Sequence, residues 1–244
     1  MKVAVAGGTG VVGSLTVRIA RERGHEAVAL SRRTGVDLVT GSGLDLTGVD
    51  AVIDASGGTT VSAKASREFF RAVTEHLFAA EKRAGVRHHV ALSIVGAAAH
   101  PHGYYAGKAL QEELVAAGPV PGTILRATQF FEFALQNAVR IGSIALLPRM
   151  RSQPVAAASV AGELVSLAEA GPGAAPGVTE LAGPRAVRMA ELLREIRDFR
   201  GESGRVIEFP LPGRFGRTLA SGGLLPGPAA RRDPVTLAAW LLRA

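Results

Sequence analysis

Three glycines near the start of the chain have a spacing that could hold an anion. They stand at Gly7, Gly10 and Gly13, after an apolar run over residues 3–6 that predicts a buried strand and before a stretch with helical apolar spacing from Val11. A glycine turn between a strand and a helix aims backbone N–H groups and the positive end of the helix dipole at one point. The spacing therefore predicts a site for a phosphate or pyrophosphate.

Each glycine of this turn has a separate predicted role. Gly7 would allow the tight turn off the strand, Gly10 the close approach of backbone to ligand, and Gly13 the packing of the helix without a Cβ in the way. Chance matches are common in a chain with 30 glycines, but the position between strand and helix favours a dinucleotide site. A purely structural turn is the alternative. The predicted contact residues are Gly7, Thr9, Gly10, Val11, Val12 and Gly13.

The end of the second predicted strand, over residues 25–30, carries two arginines. Ser31, Arg32 and Arg33 follow that strand, and no acidic residue stands among them. The adenosine ribose of a bound dinucleotide lies at this strand end, where an acid favours NAD and arginine can pair with a 2′-phosphate. We therefore predict NADP(H) over NAD(H). A solvated basic loop is the alternative, because exposed arginines are ordinary on protein surfaces.

The next strand, predicted over residues 51–55, ends in small residues that would let the backbone pass close to the cofactor ribose. A short strand is also predicted over residues 36–39. In the loop between them, an acidic side chain could accept from the adenine amino group, although a helix or turn cap accounts for it equally well. These considerations add to the predicted cofactor-binding set Asp45, Leu46, Ala55, Ser56 and Gly57.

The bulk composition narrows the function classes. The 244 residues, 47% of them hydrophobic, fit an α/β unit with a sizeable core. The absence of cysteine removes disulfides, thiolate catalysis and cysteine-ligated metals, and His100 and His102 lack the further ligands of a metal site. No apolar run reaches about 18 residues, and the opening residues predict a strand rather than a signal peptide. We expect a cytoplasmic protein with no membrane partner and no metal.

The net charge of +7 is carried almost entirely by arginine. The basic residues are scattered, and the aromatic fraction of 5% is too low for base-stacking platforms. We therefore expect the positive charge to bind a small anionic ligand rather than nucleic acid. We expect the protein to be a monomer or a homodimer.

The remaining chain predicts further strands and helices. Helices are expected over 61–84, 104–114, 159–170 and 188–200, strands over 88–95, 119–127, 143–147, 155–157, 178–181 and 205–209, a loop over 171–177 and a last helix with Trp240. The pattern predicts an α/β fold, a doubly wound parallel sheet of Rossmann-like type with a small C-terminal substrate-capping lobe. We expect one continuous unit over 1–244, with residues 1–130 as the dinucleotide-binding core and 131–244 mainly as the lobe.

Several side chains fall where ligands of such sheets bind. Ser93 stands near the carboxyl end of a predicted strand, and Tyr104 and Lys108, four residues apart, share one helix face. An aromatic turn and a basic loop farther along the chain are predicted to line the substrate cleft, although plain packing explains the aromatics about as well. These substrate-side candidates are Phe130, Phe131, Arg149 and Met150.

Five segments together resemble atypical short-chain dehydrogenases/reductases, and among them the NmrA-like NAD(P)-binding branch. They are the GGTGVVG turn, LSIVG at 92–96, the Tyr104-x-x-x-Lys108 pair, ILRATQF at 124–130 and ELAGP at 180–184. The resemblance covers nearly the whole chain. It implies a doubly wound sheet that binds NAD(P)(H), with the C-terminal third shaping the substrate cleft.

The resemblance also implies a Ser–Tyr–Lys set for hydride-transfer chemistry. Tyr104 would protonate the carbonyl oxygen, Lys108 would hold the nicotinamide ribose and lower the tyrosine pKa by its charge, and Ser93 would hydrogen-bond the same oxygen. We therefore expect an NADP(H)-dependent oxidoreductase that reduces a carbonyl, quinone or conjugated double bond of a small organic substrate. Two alternatives are a non-catalytic NAD(P)-sensing regulatory protein and a redox-neutral isomerase or epimerase on the same fold.

Overall fold

The computed structural model describes residues 1–174 and 177–243. The predicted loop over 171–177 therefore lies partly outside the described residues, at Ala175 and Pro176. The described chain divides into two compact units. The first comprises Met1–Arg126 and Val160–Thr179, and the second comprises Ala127–Ser159 and Glu180–Ala244. The return of residues 160–179 to the first unit is a feature that the sequence analysis does not predict.

The elements up to residue 127 are mostly strands that alternate with helices. They are β1 (Lys2–Ala6), α1 (Val11–Glu22), β2 (Glu26–Leu30), β3 (Ala51–Asp54), α2 (Ala63–Ala84), β4 (His88–Ile94), α3 (Tyr104–Ala116) and β5 (Gly122–Ala127). The later elements are α4 (Phe131–Gln136), β6 (Val139–Ile141), β7 (Ile144–Pro148), β8 (Arg151–Ser152), α5 (Ala157–Ala170), β9 (Val178–Ala182), β10 (Val187–Arg188), α6 (Met189–Phe199), β11 (Val206–Phe209), α7 (Gly213–Ser221), β12 (Arg231–Arg232) and α8 (Leu237–Leu241).

The main sheet has seven strands in the order β12-β9-β5-β4-β3-β1-β2. β1 pairs in parallel with β2 on one side and with β3 on the other, and β3 pairs in parallel with β4. The strand order therefore reverses at β1, so that the carboxyl end of this strand is a topological switch point, where ligands of open α/β sheets bind. The predicted doubly wound α/β fold is confirmed.

The core of the first unit lies between β1, β3 and α2. Apolar side chains such as Ala4, Val52, Val73 and Leu77 are fully buried there. α2 begins after Ser62, whose hydroxyl accepts a hydrogen bond from the N–H of Ala65 at 3.3 Å, and it ends at Gly85. Both ends are as the sequence pattern predicts, because a serine caps the free N–H groups of a helix start and a glycine adopts the left-handed conformation after its end.

Two predicted strands are wrong. Residues 36–39 pair only through an isolated bridge between Asp37 and Ser42, and the chain reverses at Gly41 and Gly43, both with positive φ. Val36 and Leu38 enter the core from this turn, so their burial imitates the alternation of a strand. Residues 155–157 likewise make only an isolated bridge before α5 begins.

The second unit contains small sheets that the sequence analysis predicts only in part. β7 lies between β11, which it pairs in parallel, and β6, which it pairs antiparallel. β10 pairs antiparallel with β8. The strands β6, β8, β10 and β12 and the helix α7 are absent from the prediction because most of them are only two or three residues long. None of the described helices is long and apolar enough to cross a membrane.

Candidate coenzyme and active site

The glycine turn after β1 is closed by backbone contacts. The N–H of Gly7 donates to the carbonyl of Leu30 at 3.0 Å, and the N–H of Gly10 donates to the carbonyl of Gly7 at 2.9 Å. Gly7 has φ +71°, and a Cβ added there would lie 2.7 Å from the carbonyl oxygen of Ala55. A glycine is therefore required at position 7 both by the backbone conformation and by the close approach of the chain after β3.

The other glycines of the turn differ in what surrounds them. A Cβ on Gly13 would lie 2.1 Å from the carbonyl oxygen of Gly7, so α1 can sit over the turn only with glycine at this position. A Cβ on Gly10 would meet only that same oxygen, at 3.3 Å. Gly8 is a further close-packed position, because a Cβ added there would lie 2.7 Å from the Cβ of Ala29. The sequence analysis missed it because it lies outside the Gly-x-x-Gly spacing.

The start of α1 offers unused hydrogen-bond donors. Gly10 is the N-cap, no side chain caps this end, and the first turn contains no acidic residue. The first N–H groups of a helix have no acceptor within the helix, and they carry the positive end of its dipole. Thr9, Gly10 and Val11 are exposed. The turn thus fits the diphosphate of a nicotinamide coenzyme, which would supply both acceptors and negative charge.

The arginines after β2 stand on a short 3₁₀ helix over Arg32–Thr34. The hydroxyl of Thr34 accepts from the N–H of Ser31 at 3.0 Å and donates to the carbonyl of Ala29 at 2.8 Å, which holds this corner in place. Arg32 and Arg33 are exposed. Their guanidinium groups make no hydrogen bond or ion pair with any described residue, so both are available to an anion.

Asp45 and Leu46 are occupied within the fold. The carboxylate of Asp45 accepts from the N–H of Thr47 at 2.9 Å and from its hydroxyl at 2.7 Å. These hydrogen bonds, that of the hydroxyl above all, lower the pKa of Asp45. Leu46 is buried in the core of the first unit. The geometry favours a turn cap at Asp45, the alternative to adenine recognition, and leaves only the backbone of Leu46 for a ligand.

The segment after β3 runs beside the glycine turn. The N–H of Ser56 donates to the carboxylate of Asp54 at 2.9 Å, and the hydroxyl of Ser56 is buried without a hydrogen-bond partner among the described residues. Gly57 is exposed, and a Cβ added to it would lie 3.0 Å from the hydroxyl of Tyr104. The backbone after β3 therefore passes next to the hydroxyl of Tyr104. Its approach to a cofactor ribose stays a prediction.

Tyr104 begins α3, which packs closely on α2. A Cβ on Gly107 would lie 2.2 Å from the hydroxyl oxygen of Ser66 and 2.5 Å from the ring of Phe70, so glycine allows the two helices to touch. The hydroxyl of Ser66 donates to the carbonyl of Tyr104 at 2.8 Å. The ring of Phe70 meets that of Tyr104 edge to face at a centroid distance of 5.5 Å. Ser66 thus holds the backbone of Tyr104, and Phe70 packs against its ring.

The ionisation of Tyr104 differs from the prediction. Burial raises the pKa of Tyr104 to about 12, and the negative charge of Asp54 acts in the same direction, while a hydrogen bond from the N–H of Gly58 acts against it. The expected lowering of this pKa by the charge of Lys108 is therefore wrong for the coenzyme-free chain. Burial and the nearby negative charge together outweigh the stabilisation that the hydrogen bond from Gly58 gives to the phenolate.

Lys108 is an interior cation. Its Nζ donates to the carbonyl of Leu92 at 2.7 Å, to the Oε1 of Gln111 at 2.9 Å and to the carbonyl of Ser56 at 3.3 Å. It also lies 4.4 Å from the ring centroid of Phe70. Burial lowers the pKa of Lys108 to about 8, although the charges of Asp54 and Glu112 counteract this. All three ammonium protons are used within the protein, so Lys108 must exchange a partner to contact a ribose.

Ser93 has a different neighbour from the one that the resemblance implies. Its hydroxyl donates to the Oε1 of Glu112 at 2.5 Å, and the same carboxylate accepts from the Nε and Nη2 of Arg126. Ser93 and Glu112 are buried. The structure therefore brings together Gly57, Tyr104 and Lys108, while the hydroxyl of Ser93 is held by a carboxylate on α3.

The substrate-side candidates lie in the second unit. Phe131 is buried and its ring lies 5.5 Å from that of Trp240, and the indole N–H donates to Glu132 at 3.1 Å. Met150 is buried as well, whereas Phe130 is half-buried and Arg149 is exposed. Burial of Phe131 and Met150 supports the packing alternative for these two. Phe130 and Arg149 remain predicted substrate contacts.

Three residues of this site are absent from the sequence prediction. Asp54, Gln111 and Glu112 are all buried and contact Lys108 or Ser93 directly or through one another. A signal was present for two of them, because Gln111 and Glu112 follow Lys108 by three and four residues and so share its helix face. Asp54 carries a weaker signal, a carboxylate at the end of an otherwise apolar strand.

Comparison with known proteins supports the fold. No family model matches the chain. A 60-residue segment is 37% identical to the epimerase family protein SDR39U1 of Bos taurus, and this match spans 23% of the chain and 20% of that protein. The full fold is similar to an NAD-dependent NDP-hexosamine 5,6-dehydratase of tunicamycin biosynthesis, with a TM-score of 0.72, 16% identity and coverage of 99% of this chain and 95% of the other.

Two further solved structures have the same architecture. A UDP-galactose 4-epimerase matches with a TM-score of 0.66 and 16% identity over 94% of this chain and 95% of its own. A short-chain dehydrogenase/reductase superfamily protein from Agrobacterium tumefaciens with bound NAD matches with a TM-score of 0.67 and 20% identity over 100% and 95%. The chain therefore has the doubly wound fold of these nicotinamide-dependent and sugar-nucleotide enzymes.

Proposed function

We propose that the chain is an NADP(H)-dependent oxidoreductase that reduces a carbonyl, quinone or conjugated double bond of a small organic substrate. The observation that carries this proposal is the glycine turn at the switch point of the sheet, followed by a helix start that has no side-chain cap and no acidic residue in its first turn. When bound, the coenzyme supplies a hydride. The chain itself contributes binding, orientation and a proton.

The residues around the turn divide the task of holding the coenzyme. The backbone over residues 9–13 would bind the diphosphate, and Gly57, with no Cβ, would let the chain after β3 approach the ribose. Arg32 and Arg33 support a preference for NADP(H), because two unpaired guanidinium groups at the end of β2 can bind a 2′-phosphate. Several of the similar solved structures depend on NAD or contain it. The preference for NADP(H) over NAD(H) is therefore the part of the proposal that a direct comparison of the two coenzymes tests.

Tyr104 is the proposed proton donor. With a pKa raised to about 12, its phenol keeps the proton at neutral pH and releases it only to a stronger base, such as an oxygen that gains negative charge during reduction. The position of its hydroxyl beside Gly57 and Gly58 places the proton next to the backbone that is proposed to line the ribose. Ser93, bound to Glu112, orients the end of β4 rather than the substrate oxygen.

Replacement of Tyr104 by phenylalanine tests this assignment. We expect Tyr104→Phe to lower kcat by about 10²–10⁴-fold and to change the NADPH dissociation constant by less than about twofold, because the ring and its packing on Phe70 are retained. Tyr105→Phe is the matched control and should keep turnover. Equal activity of Tyr104→Phe and wild type on a carbonyl and quinone panel would remove Tyr104 from the mechanism.

A redox-neutral reaction is the second candidate function. The similar proteins include a 4-epimerase and a dehydratase, and epimerisation and dehydration involve no net consumption of a reductant. Such a role predicts a coenzyme that stays bound through purification and a substrate that is converted without a change in the amount of NADPH. Net oxidation of NADPH with substrate reduction would exclude it.

A further inference from the structure

We infer that Gln111 is a positioning residue for Lys108 and that Asp54 fixes Gln111 in turn. The inference deepens the proposed function and rests on it, since it assigns to two side chains the task of holding the lysine of the proposed active site. Neither residue needs to touch coenzyme or substrate. Both are fully buried, at 0% exposure, and Lys108 is 3% exposed.

The hydrogen bonds leave only one arrangement for the amide of Gln111. Its Nε2 donates to the Oδ2 of Asp54 at 2.7 Å, and its Oε1 accepts from the Nζ of Lys108 at 2.9 Å. An ionised carboxylate can only accept and an ammonium can only donate, so a flipped amide would face a like group on both sides. Gln111 therefore links a buried anion to a buried cation through one oriented dipole.

Asp54 is itself fixed by the fold. Its Oδ1 accepts from the N–H of Ser56 at 2.9 Å, and the carbonyl of Ser56 accepts in turn from Lys108. The chain of contacts thus joins the ends of β3 and β4 to α3. Lys108 is the point at which it meets the backbone of both strands, through Ser56 and Leu92.

The charged and titratable groups around Lys108 come from every element packed against it. Asp54 lies at the end of β3, and Glu112 and Tyr104 lie on α3 with Lys108 itself. On β4, His89 interacts with the charge of Asp54 and is paired with Glu81 of α2 at 2.7 Å. The remaining contact from α2 is the neutral ring of Phe70. Asp54 is thus the anion that Gln111 connects to the lysine, while Glu112 is already bound by Arg126 and Ser93.

The lysine content makes a direct test possible. The chain has four lysines, at positions 2, 64, 82 and 108, so a protein labelled with ¹³C at lysine Cε gives few signals, and Lys108→Arg identifies the signal of Lys108. Titration of the coenzyme-free protein followed by NMR then reports its protonation without any activity measurement. In wild type the Lys108 signal should titrate near pH 8.

Two variants test the link from both ends. Gln111→Leu removes the acceptor, and Asp54→Asn removes the charge while keeping the shape and a carbonyl that can accept from Gln111. Each should move the Lys108 titration to lower pH by about one pH unit, because each weakens stabilisation of the ammonium. Asp54→Asn carries the test by itself if Gln111→Leu fails to fold. Thr74→Val, at a buried hydroxyl without a hydrogen-bond partner among the described residues, is the control and should leave the titration unchanged.

The two proposals fail in different ways. A Lys108 signal that titrates at the wild-type pH in both variants overturns the positioning role, whatever the protein catalyses. The second readout is the pH at which kcat for NADPH oxidation changes on the alkaline side of its pH profile. If this pH and the Lys108 signal move together as expected, the positioning role and the proposed reaction are both supported. If the signal moves but the protein binds neither coenzyme, the positioning role of Gln111 and Asp54 is supported and the proposed function is contradicted.

Discussion

The first unit contains two polar regions of opposite construction. The glycine turn consists of backbone and is open, with exposed residues at Thr9, Gly10 and Val11 and helix N–H groups that no side chain caps. The network around Lys108 consists of side chains and is closed, and every proton of its ammonium group has an acceptor within the protein. The first region leaves helix N–H groups uncapped, whereas the second satisfies its hydrogen bonds within the protein.

The contrast indicates how binding and chemistry are separated in this fold. An open cradle of backbone N–H groups can bind an anion without reorganisation, because the donors already point at one place. A closed network resists change, since a buried donor or acceptor that loses its partner costs about 1–3 kcal/mol. We therefore expect substitutions in the turn to act mainly on coenzyme affinity, and substitutions in the network to act on stability and pH dependence.

The largest effect is expected from Gly13→Ala. The added Cβ would lie 2.1 Å from the carbonyl oxygen of Gly7, so α1 must move away from the turn. We expect a loss of about 3 kcal/mol or more in the free energy of unfolding and a coenzyme affinity lower by about 100-fold or more. Urea unfolding and calorimetric titration measure the two effects.

Gly10→Ala is the matched control for Gly13→Ala. Its Cβ meets only one backbone oxygen, at 3.3 Å, so stability should stay within about 0.5 kcal/mol of wild type. Coenzyme affinity should nevertheless fall, because the methyl group stands where the backbone is proposed to approach the diphosphate. Unchanged affinity in Gly10→Ala would show that the turn is only structural.

The second effect is a rise in stability with pH that depends on Lys108. The pKa of Lys108 is about 8 in the folded chain, below its ordinary value of 10.5, so between these values the unfolded chain binds more protons and stability increases with pH. The expected gain of wild type relative to Lys108→Met from pH 8 to 10 is about 2 kcal/mol. Parallel pH profiles of unfolding for the two proteins would contradict an interior cation at this position.

The smallest effect is expected on coenzyme affinity from the two arginines after β2, beside the glycine turn. Arg32→Ala with Arg33→Ala should weaken NADPH binding by about tenfold and NADH binding by less than about twofold. Thermal stability should be unchanged, since both side chains are exposed and make no hydrogen bond or ion pair with the described residues. Dissociation constants for both coenzymes provide the measurement. A constant NADPH to NADH ratio would reject the phosphate-binding role of these arginines.

The sequence predicts the open region better than the closed one for a physical reason. Gly7, Gly10 and Gly13 act through backbone geometry that is local in the chain, so their spacing alone indicates a turn between strand and helix. Lys108 donates to Ser56, Leu92 and Gln111, and Gln111 in turn donates to Asp54. Of these residues, only Gln111 is near Lys108 in sequence. The pairing of Ser93 with Glu112 instead of a substrate depends on how β4 faces α3, which residue types do not reveal.

The secondary-structure elements likewise are predicted better where they are determined locally in the chain than where they depend on distant partners. Strands β1, β3 and β4 are buried runs, helix α2 is long and capped at both ends, and all four are predicted within about three residues of their bounds. In the second unit, pairs such as β8 with β10 are two residues long and are defined only by their partner strand.

The second unit also contains fourteen arginines and no lysine against eight acidic residues, so most of the net charge of +7 belongs to it. The overall charge alone does not reveal this asymmetry.

Calorimetric titration of the purified full chain with NADPH, and in parallel with NADH, tests the central claim most directly. A nicotinamide coenzyme that occupies the glycine turn should bind once per chain, with NADPH the tighter of the two, and the heat should disappear in Gly13→Ala. A purified, folded chain that gives no binding heat with either coenzyme would contradict the account.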